Sequence, residues 1–371
     1  MRASRTSIVV ASLLFATGAC GAQPFESRSV AKFDEPWAMT FLPDGRLLVT
    51  EKKGKLKLVD VATGKSADVS GTPTVDYGGQ GGFADVVLHP EFAKNGWVYM
   101  SYAEAGADNT RGAAVARAKL TLDDAGGGKL DGLEVVWRQV PKMTGRGHYG
   151  HRIAFGQGHL WISSGERQHF DPAQDMNANL GKILRLNDDG SVPTDNPFAN
   201  KGGAKEGDVA AQVWSLGHRN PLGLAFDAQG RLWNVEMGPA GGDELNLVER
   251  GANYGYPIVS NGDHYDGKEI PDHATRPEFR APAVWWTPVI SPGDFIFYSG
   301  TEFPDWQGDA LIAGLSSKAL VRVEFDGTTA REAERYPMGE RIREVEQGPD
   351  GAVWLLEDGS NGELLKLTAK K

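Results

Sequence analysis

Pro43-Asp44-Gly45-Arg46-Leu47-Leu48-Val49, near one end of the chain, and Pro349-Asp350-Gly351-Ala352-Val353-Trp354-Leu355-Leu356, near the other, use one device twice: a turn ending in glycine, then a run of strand formers. Glycine supplies the positive φ that tight hairpin turns require, and β-branched, aromatic and Leu residues then favour a strand. Between these two copies lie four more. They are Asn95-Gly96 before Trp97 to Met100, Gly156 to Gly158 before Leu160 to Ile162, Gln229-Gly230 before Leu232 to Val235, and Gln307-Gly308 before Ala310 to Ala313. A glycine turn occurs in any β protein, but six copies at intervals of about 40 to 80 residues match a propeller blade plus inserted loops. Further runs, Val209 to Leu216 and Ala319 to Phe325, also read as strands, and amphipathic helices are scarce. The reading is all-β, a single six-bladed β-propeller over residues 23–371, in preference to a sandwich or barrel.

Composition narrows the partners. With 40% apolar and 24% charged residues the chain can bury a core like any globular protein. Its net charge of −10, without a run of Lys or Arg, excludes a phosphate backbone as partner and weakens attraction to anionic lipid. Residues 1–22 have the three regions of a secretory signal: Arg2 and Arg5, the apolar stretch Ile8 to Phe15, then Ala16, Thr17, Gly18 and Ala19. The apolar stretch is too short to remain as a membrane span. Cleavage is expected after Ala19 or Ala22. The only cysteine, Cys20, stands where a lipoprotein signal places its acylated residue, though Thr17 occupies a position such signals usually give to Leu. Export to the periplasm of a Gram-negative bacterium is therefore expected, with membrane attachment only through a lipid on Cys20. The mature chain, monomer or homodimer, would hold no thiol for a disulfide, metal or nucleophile.

Four loop segments carry polar groups that a β core does not need. Gly145 to Arg152 holds His148 and His151 among Arg146 and Arg152, and a histidine kept neutral beside arginine is suited to general base work. Gly217 to Gly223 offers Arg219, a planar fork of donors for a carboxylate or oxyanion, and the Asn220 amide. Glu236 to Glu244, followed by Asn253 to Pro257, presents carboxylates and free carbonyls of the kind calcium takes, without the spacing of an EF-hand. In Gly339 to Arg343, alternation puts Arg341 and Arg343 on one face, where they need an anion. Each has a plain structural alternative: capping, bracing or solvated surface charge. No GxGxxG, phosphate loop, GxSxG or HExxH is present, which argues against nicotinamide, nucleotide, serine-hydrolase and zincin chemistry.

Together these segments resemble the soluble pyrroloquinoline-quinone (PQQ) glucose and aldose sugar dehydrogenases, from about Pro36 to Leu367. The markers occur in family order: GGQGGFADVVLHPEF from Gly78, HYGHR from His148, LGKILRLNDDGSVPTDNPF from Leu180, GHRNPLGLAF from Gly217, GGDELN from Gly241, NYGYP from Asn253 and RIREV from Arg341. The resemblance implies oxidation of an aldose to its lactone, with PQQ and calcium as cofactors and electrons leaving to an external acceptor. It implies His148 as base, Arg219 as the group polarising the quinone, and Gln80, Asn220, Tyr265, Arg341 and Arg343 as further cofactor contacts. Carbonyls of Gly238 and Pro239, with Glu244 and Tyr254, would hold calcium. Two departures stand out. His151 replaces a small residue, and Ser316 stands where a cofactor-contacting lysine is expected, with Lys318 two residues on as its substitute. The rival readings are a calcium-dependent lactonase and a non-enzymatic propeller that binds carbohydrate or protein.

Overall fold

The structure, a computed structural model, describes residues 23–199 and 208–370. The leader expected over residues 1–22, with Cys20, lies outside the described residues. Each repeat unit is an antiparallel hairpin whose glycine turn joins the first strand of a sheet to the second. Gly45, Gly96, Gly158, Gly230, Gly308 and Gly351 all have φ between 69° and 88°. At Gly45, Gly158, Gly230 and Gly308 nothing lies where a Cβ would go, so backbone conformation, not space, selects glycine there.

Four four-stranded antiparallel sheets and one eight-stranded sheet carry the fold. The eight-stranded sheet divides into two meanders, 36–70 and 83–138, whose strands pair with each other only through a two-residue parallel contact, Val69 with Gly128 and Ser70 with Lys129. The first strands, Pro36–Phe41, Phe83–Leu88, Gly150–Gly156, Pro221–Phe226, Pro292–Phe297 and Ile342–Gln347, each pack on the next, and the last on the first, as a closed ring. The chain's ends are tied together: Phe25–Phe33 pairs antiparallel with Gly362–Ala369 and completes the final sheet. The second strands, such as Leu47–Glu51 and Ala310–Gly314, are buried on both faces between neighbouring sheets. That burial is why they read in the sequence as unbroken apolar runs. One run differs from its reading: residues 209–216 form a helical turn, Val209–Gln212, before the strand Val213–Leu216. Ala210, Ala211 and Gln212 favour helix over strand, which local propensity decides in so short a piece.

Every first strand carries a register shift near its start, in each of the six hairpins. Such bulges re-aim side chains. Of the shifted residues, Trp37, His151, Leu222 and Arg343 line one cleft. Arg152, beside His151, is instead buried at the ring's axis, reaching Glu344 at 2.6 Å, Asp85 at 3.3 Å and Asp294 at 3.5 Å. It also donates to the carbonyls of Leu222 and Gly293, so one guanidinium ties together five of the first strands.

Candidate active site

Two adjoining clefts open where the first strands begin. The inner one, about 270 Å³, is lined by Gln80, His151, Arg341, Arg343, Lys52 and Asp358 among others. The outer one, about 470 Å³, is lined by His148, Phe170, Arg219, Tyr256, Tyr265 and their neighbours. Gln80 links them, because its Oε1 accepts from the His148 backbone N–H at 2.7 Å. The backbone around them is strained: His148, His151, Arg167, Gln168 and Phe170 all have positive φ, a conformation non-glycine residues keep only where the surroundings impose it.

His148 is buried, and its Nδ1 lies in hydrogen-bond contact with Oε1 of Glu166, itself fully buried. A carboxylate can only accept, so Nδ1 carries the hydrogen and Nε2 keeps its lone pair. Burial lowers the imidazole's pKa, with Arg219 and Arg167 acting in the same direction against Glu166. Burial alone would raise Glu166, but its bond to His148, the N–H of Phe170 and the charge of Arg219 hold it below the ordinary carboxylate range. Its second oxygen accepts from the N–H groups of His169 at 2.6 Å and Phe170 at 2.8 Å. Glu166 thus fixes both the base's tautomer and the loop that presents Phe170. We expect Glu166→Gln to lower turnover and, by removing the charge that raises His148, to move the acid limb of the pH–rate profile to lower pH. An unchanged profile would count against the pairing.

Arg219 donates to the carbonyls of Met237 at 3.0 Å and Gly238 at 2.6 Å and reaches the Tyr265 hydroxyl at 3.3 Å. Its Nε is buried with no hydrogen-bond partner among the described residues. Asn220 is fully buried; its Oδ1 accepts from the Gly150 N–H at 3.2 Å, bracing the base's loop rather than lining either cleft. Arg341 and Arg343, read as a pair in need of an anion, share Asp358, at 2.9 and 3.1 Å. Lys318 is outside the lining of both clefts, its Nζ donating to the Gly339 carbonyl.

Gly238, Pro239, Glu244 and Tyr254 meet in a third, small cavity beside Arg219, together with Glu236. Burial and the neighbouring Glu236 raise Glu244 well above the ordinary carboxylate range. The Tyr254 hydroxyl does not add to that donor set: it donates to the Leu247 carbonyl and accepts from the Glu249 N–H. Among the described residues no three His, Cys, Asp or Glu side chains are grouped to hold a metal, so carbonyls would have to complete the site.

Glu166, Asp358 and Lys52 were absent from the expected set, and Glu236 was read only as part of the carboxylate-bearing segment. A sequence signal for some of them existed: an acid closes the second strand at Glu51, Glu236 and Glu357, with Glu166 and Asp358 just beyond such ends.

Comparison with known proteins places the chain among sugar dehydrogenases. Aldose sugar dehydrogenase YliI of Escherichia coli strain K12 is 39% identical over 348 residues, covering 91% of each chain. The crystal structure of the soluble aldose sugar dehydrogenase from Escherichia coli in its apo form superposes with a TM-score of 0.86 at 37% identity, covering 93% of this chain and all of that one. The PQQ-bound aldose sugar dehydrogenase from Streptomyces coelicolor gives 0.76 at 28% identity, covering 93% of this chain and 98% of that one. Residues 33–366, which include every side chain of the three cavities, match the Glucose / Sorbosone dehydrogenase family, and the chain belongs to it.

Proposed function

We propose that the protein oxidises the anomeric hydroxyl of aldose sugars to lactones with PQQ, the electrons passing to an external acceptor. The observation that carries this reading is the His148–Glu166 pair, set at one cleft beside a second that is lined by Lys52, Arg341 and Arg343. PQQ is a tricarboxylate, and the residues fit it: three cations, the Gln80 amide and the unpartnered nitrogens of His151 and Arg219 face or flank the space. Gln80, Arg219, Tyr265, Arg341 and Arg343 would hold it, with Asn220 bracing the loop. The chemistry such a cofactor supplies is acceptance of a hydride and later release of two electrons.

His148 Nε2 takes the proton of the sugar hydroxyl, Glu166 holding the ring in place and stabilising the imidazolium that forms. Arg219 directs a guanidinium at an oxygen that gains negative charge. Tyr265, 77% exposed, and Phe170, 44% exposed, border an open outer cleft that would admit sugars of differing size.

The donors at the small cavity suit calcium: the Glu244 and Glu236 carboxylates and the carbonyls of Gly238 and Pro239 are hard oxygens. On that assignment, calcium at a hundredfold its dissociation constant should stabilise the fold by about 2.7 kcal/mol. Glu244→Gln should remove the gain; a gain that survives would place the ion elsewhere.

The scaffold is, on this reading, a six-bladed propeller; the six bulged first strands packed in a ring support it. We further take the protein to be exported, with residues 1–22 removed or Cys20 acylated. The functional test is reduction of a dye by a panel of aldoses after addition of PQQ and calcium, with lactone hydrolysis by the untreated protein measured alongside. Aldose- and quinone-dependent reduction is expected; lactone hydrolysis alone would favour the lactonase.

A further inference from the structure

We infer that Lys52 is an anion-binding residue of the inner cleft, supplying to the bound quinone the ammonium that this chain lacks at Ser316. The inference rests on the proposed PQQ chemistry. Both positions lie just past the second strand of their sheets, Lys52 after Leu47–Glu51 and Ser316 after Ala310–Gly314. Ser316 itself donates to the Val289 carbonyl at 3.2 Å. Lys318 is half exposed, its Nζ at 3.1 Å from the Gly339 carbonyl and 3.6 Å from Glu340, and it does not line the cleft.

Lys52 does line it. The other two cations there, Arg341 and Arg343, are already paired with Asp358. The cleft's second acid, Glu35, accepts from the Tyr77 hydroxyl at 2.5 Å and lies 3.7 Å from Lys53. Lys52 Nζ donates to the Gly79 carbonyl at 3.0 Å and, among the described residues, has no carboxylate in ion-pair contact. An ammonium has three donors, so two remain for a ligand. Burial disfavours its charge, and although Glu35 and Asp358 act against it, with Arg343 and Lys53 acting alongside it, the net shift is downward, a cost that an arriving anion would relieve. The cleft's one histidine, His151, has its pKa lowered to about 3 by burial and so contributes no charge. Lys52, Arg341 and Arg343 against Glu35 and Asp358 leave one positive charge in excess among the cleft's lining residues.

The test is equilibrium titration of the metal-supplemented apoprotein with PQQ, followed by its absorbance and by quenching of protein fluorescence. Lys52→Gln keeps a donor for the Gly79 carbonyl but removes the charge, and should weaken binding by roughly ten- to a hundredfold, the range for one charge-assisted hydrogen bond. Lys52→Arg should restore most of the affinity, and Lys318→Gln should leave it unchanged. If glutamine disturbs the Gly79 loop, seen as an earlier melt of the apoprotein, Lys52→Met compared with Lys52→Arg gives the same discrimination. Wild-type affinity in the Lys52 variants, or a loss confined to Lys318→Gln, overturns the assignment. Failure of the wild type to bind PQQ overturns instead the functional reading beneath it.

Discussion

His148→Gln should reduce turnover by about 10²- to 10⁴-fold, the usual contribution of a positioned general base, while leaving PQQ affinity close to that of the wild type. The imidazole is buried, neutral by virtue of that burial, and aligned by Glu166, so its removal takes away a proton acceptor rather than a piece of scaffold. Steady-state rates with saturating aldose, set beside a PQQ titration of the same variant, separate the two effects. Near-normal turnover would remove His148 from the chemistry. In the wild type, activity should be lost only as pH falls through the lowered pKa of His148, because the protonated ring cannot act as a base.

The second large effect concerns stability. Arg152→Leu should cost about 3–5 kcal/mol, because removing one partner of a buried ion pair leaves uncompensated charge. Among the described residues Arg152 is the only cation in ion-pair contact with Asp85, Asp294 and Glu344. Burial already raises Asp294 and Glu346 to about 8, so in the fold they hold protons that they release on unfolding. An acid with a raised folded pKa makes stability fall as pH rises from the ordinary carboxylate range towards that value. Removing the guanidinium, which holds the Asp294 pKa down, raises it further, so the variant's deficit should widen only above about pH 8, where the wild-type carboxyl ionises and the variant's does not. Denaturant unfolding at several pH values checks both statements, and a loss below about 1 kcal/mol would show that the acids find other compensation.

Legibility followed the physics of burial. The second strands sit between two sheets and must be apolar on both faces, so their runs, and the glycines with positive φ before them, are plain in the sequence. The bulges that turn His151 into the cleft and Arg152 to the axis leave no residue signature, since they are features of register. Of the site, His148, Arg219, Arg341 and Arg343 stood out as charges in glycine-rich or alternating contexts. Asn220 shared such a segment, but its role as a brace for Gly150, 70 residues away, depends on tertiary contact. Glu166 meets His148 only because two loops converge, and a lysine at a strand end such as Lys52 reads as ordinary solvated charge.

The measurement bearing most directly on the whole account is a stoichiometric titration of the metal-supplemented apoprotein with PQQ, with dye reduction by the panel of aldoses assayed at every point. The account predicts saturation at one quinone per chain and activity rising in proportion to occupancy. Binding without activity, or no binding at all, would contradict it.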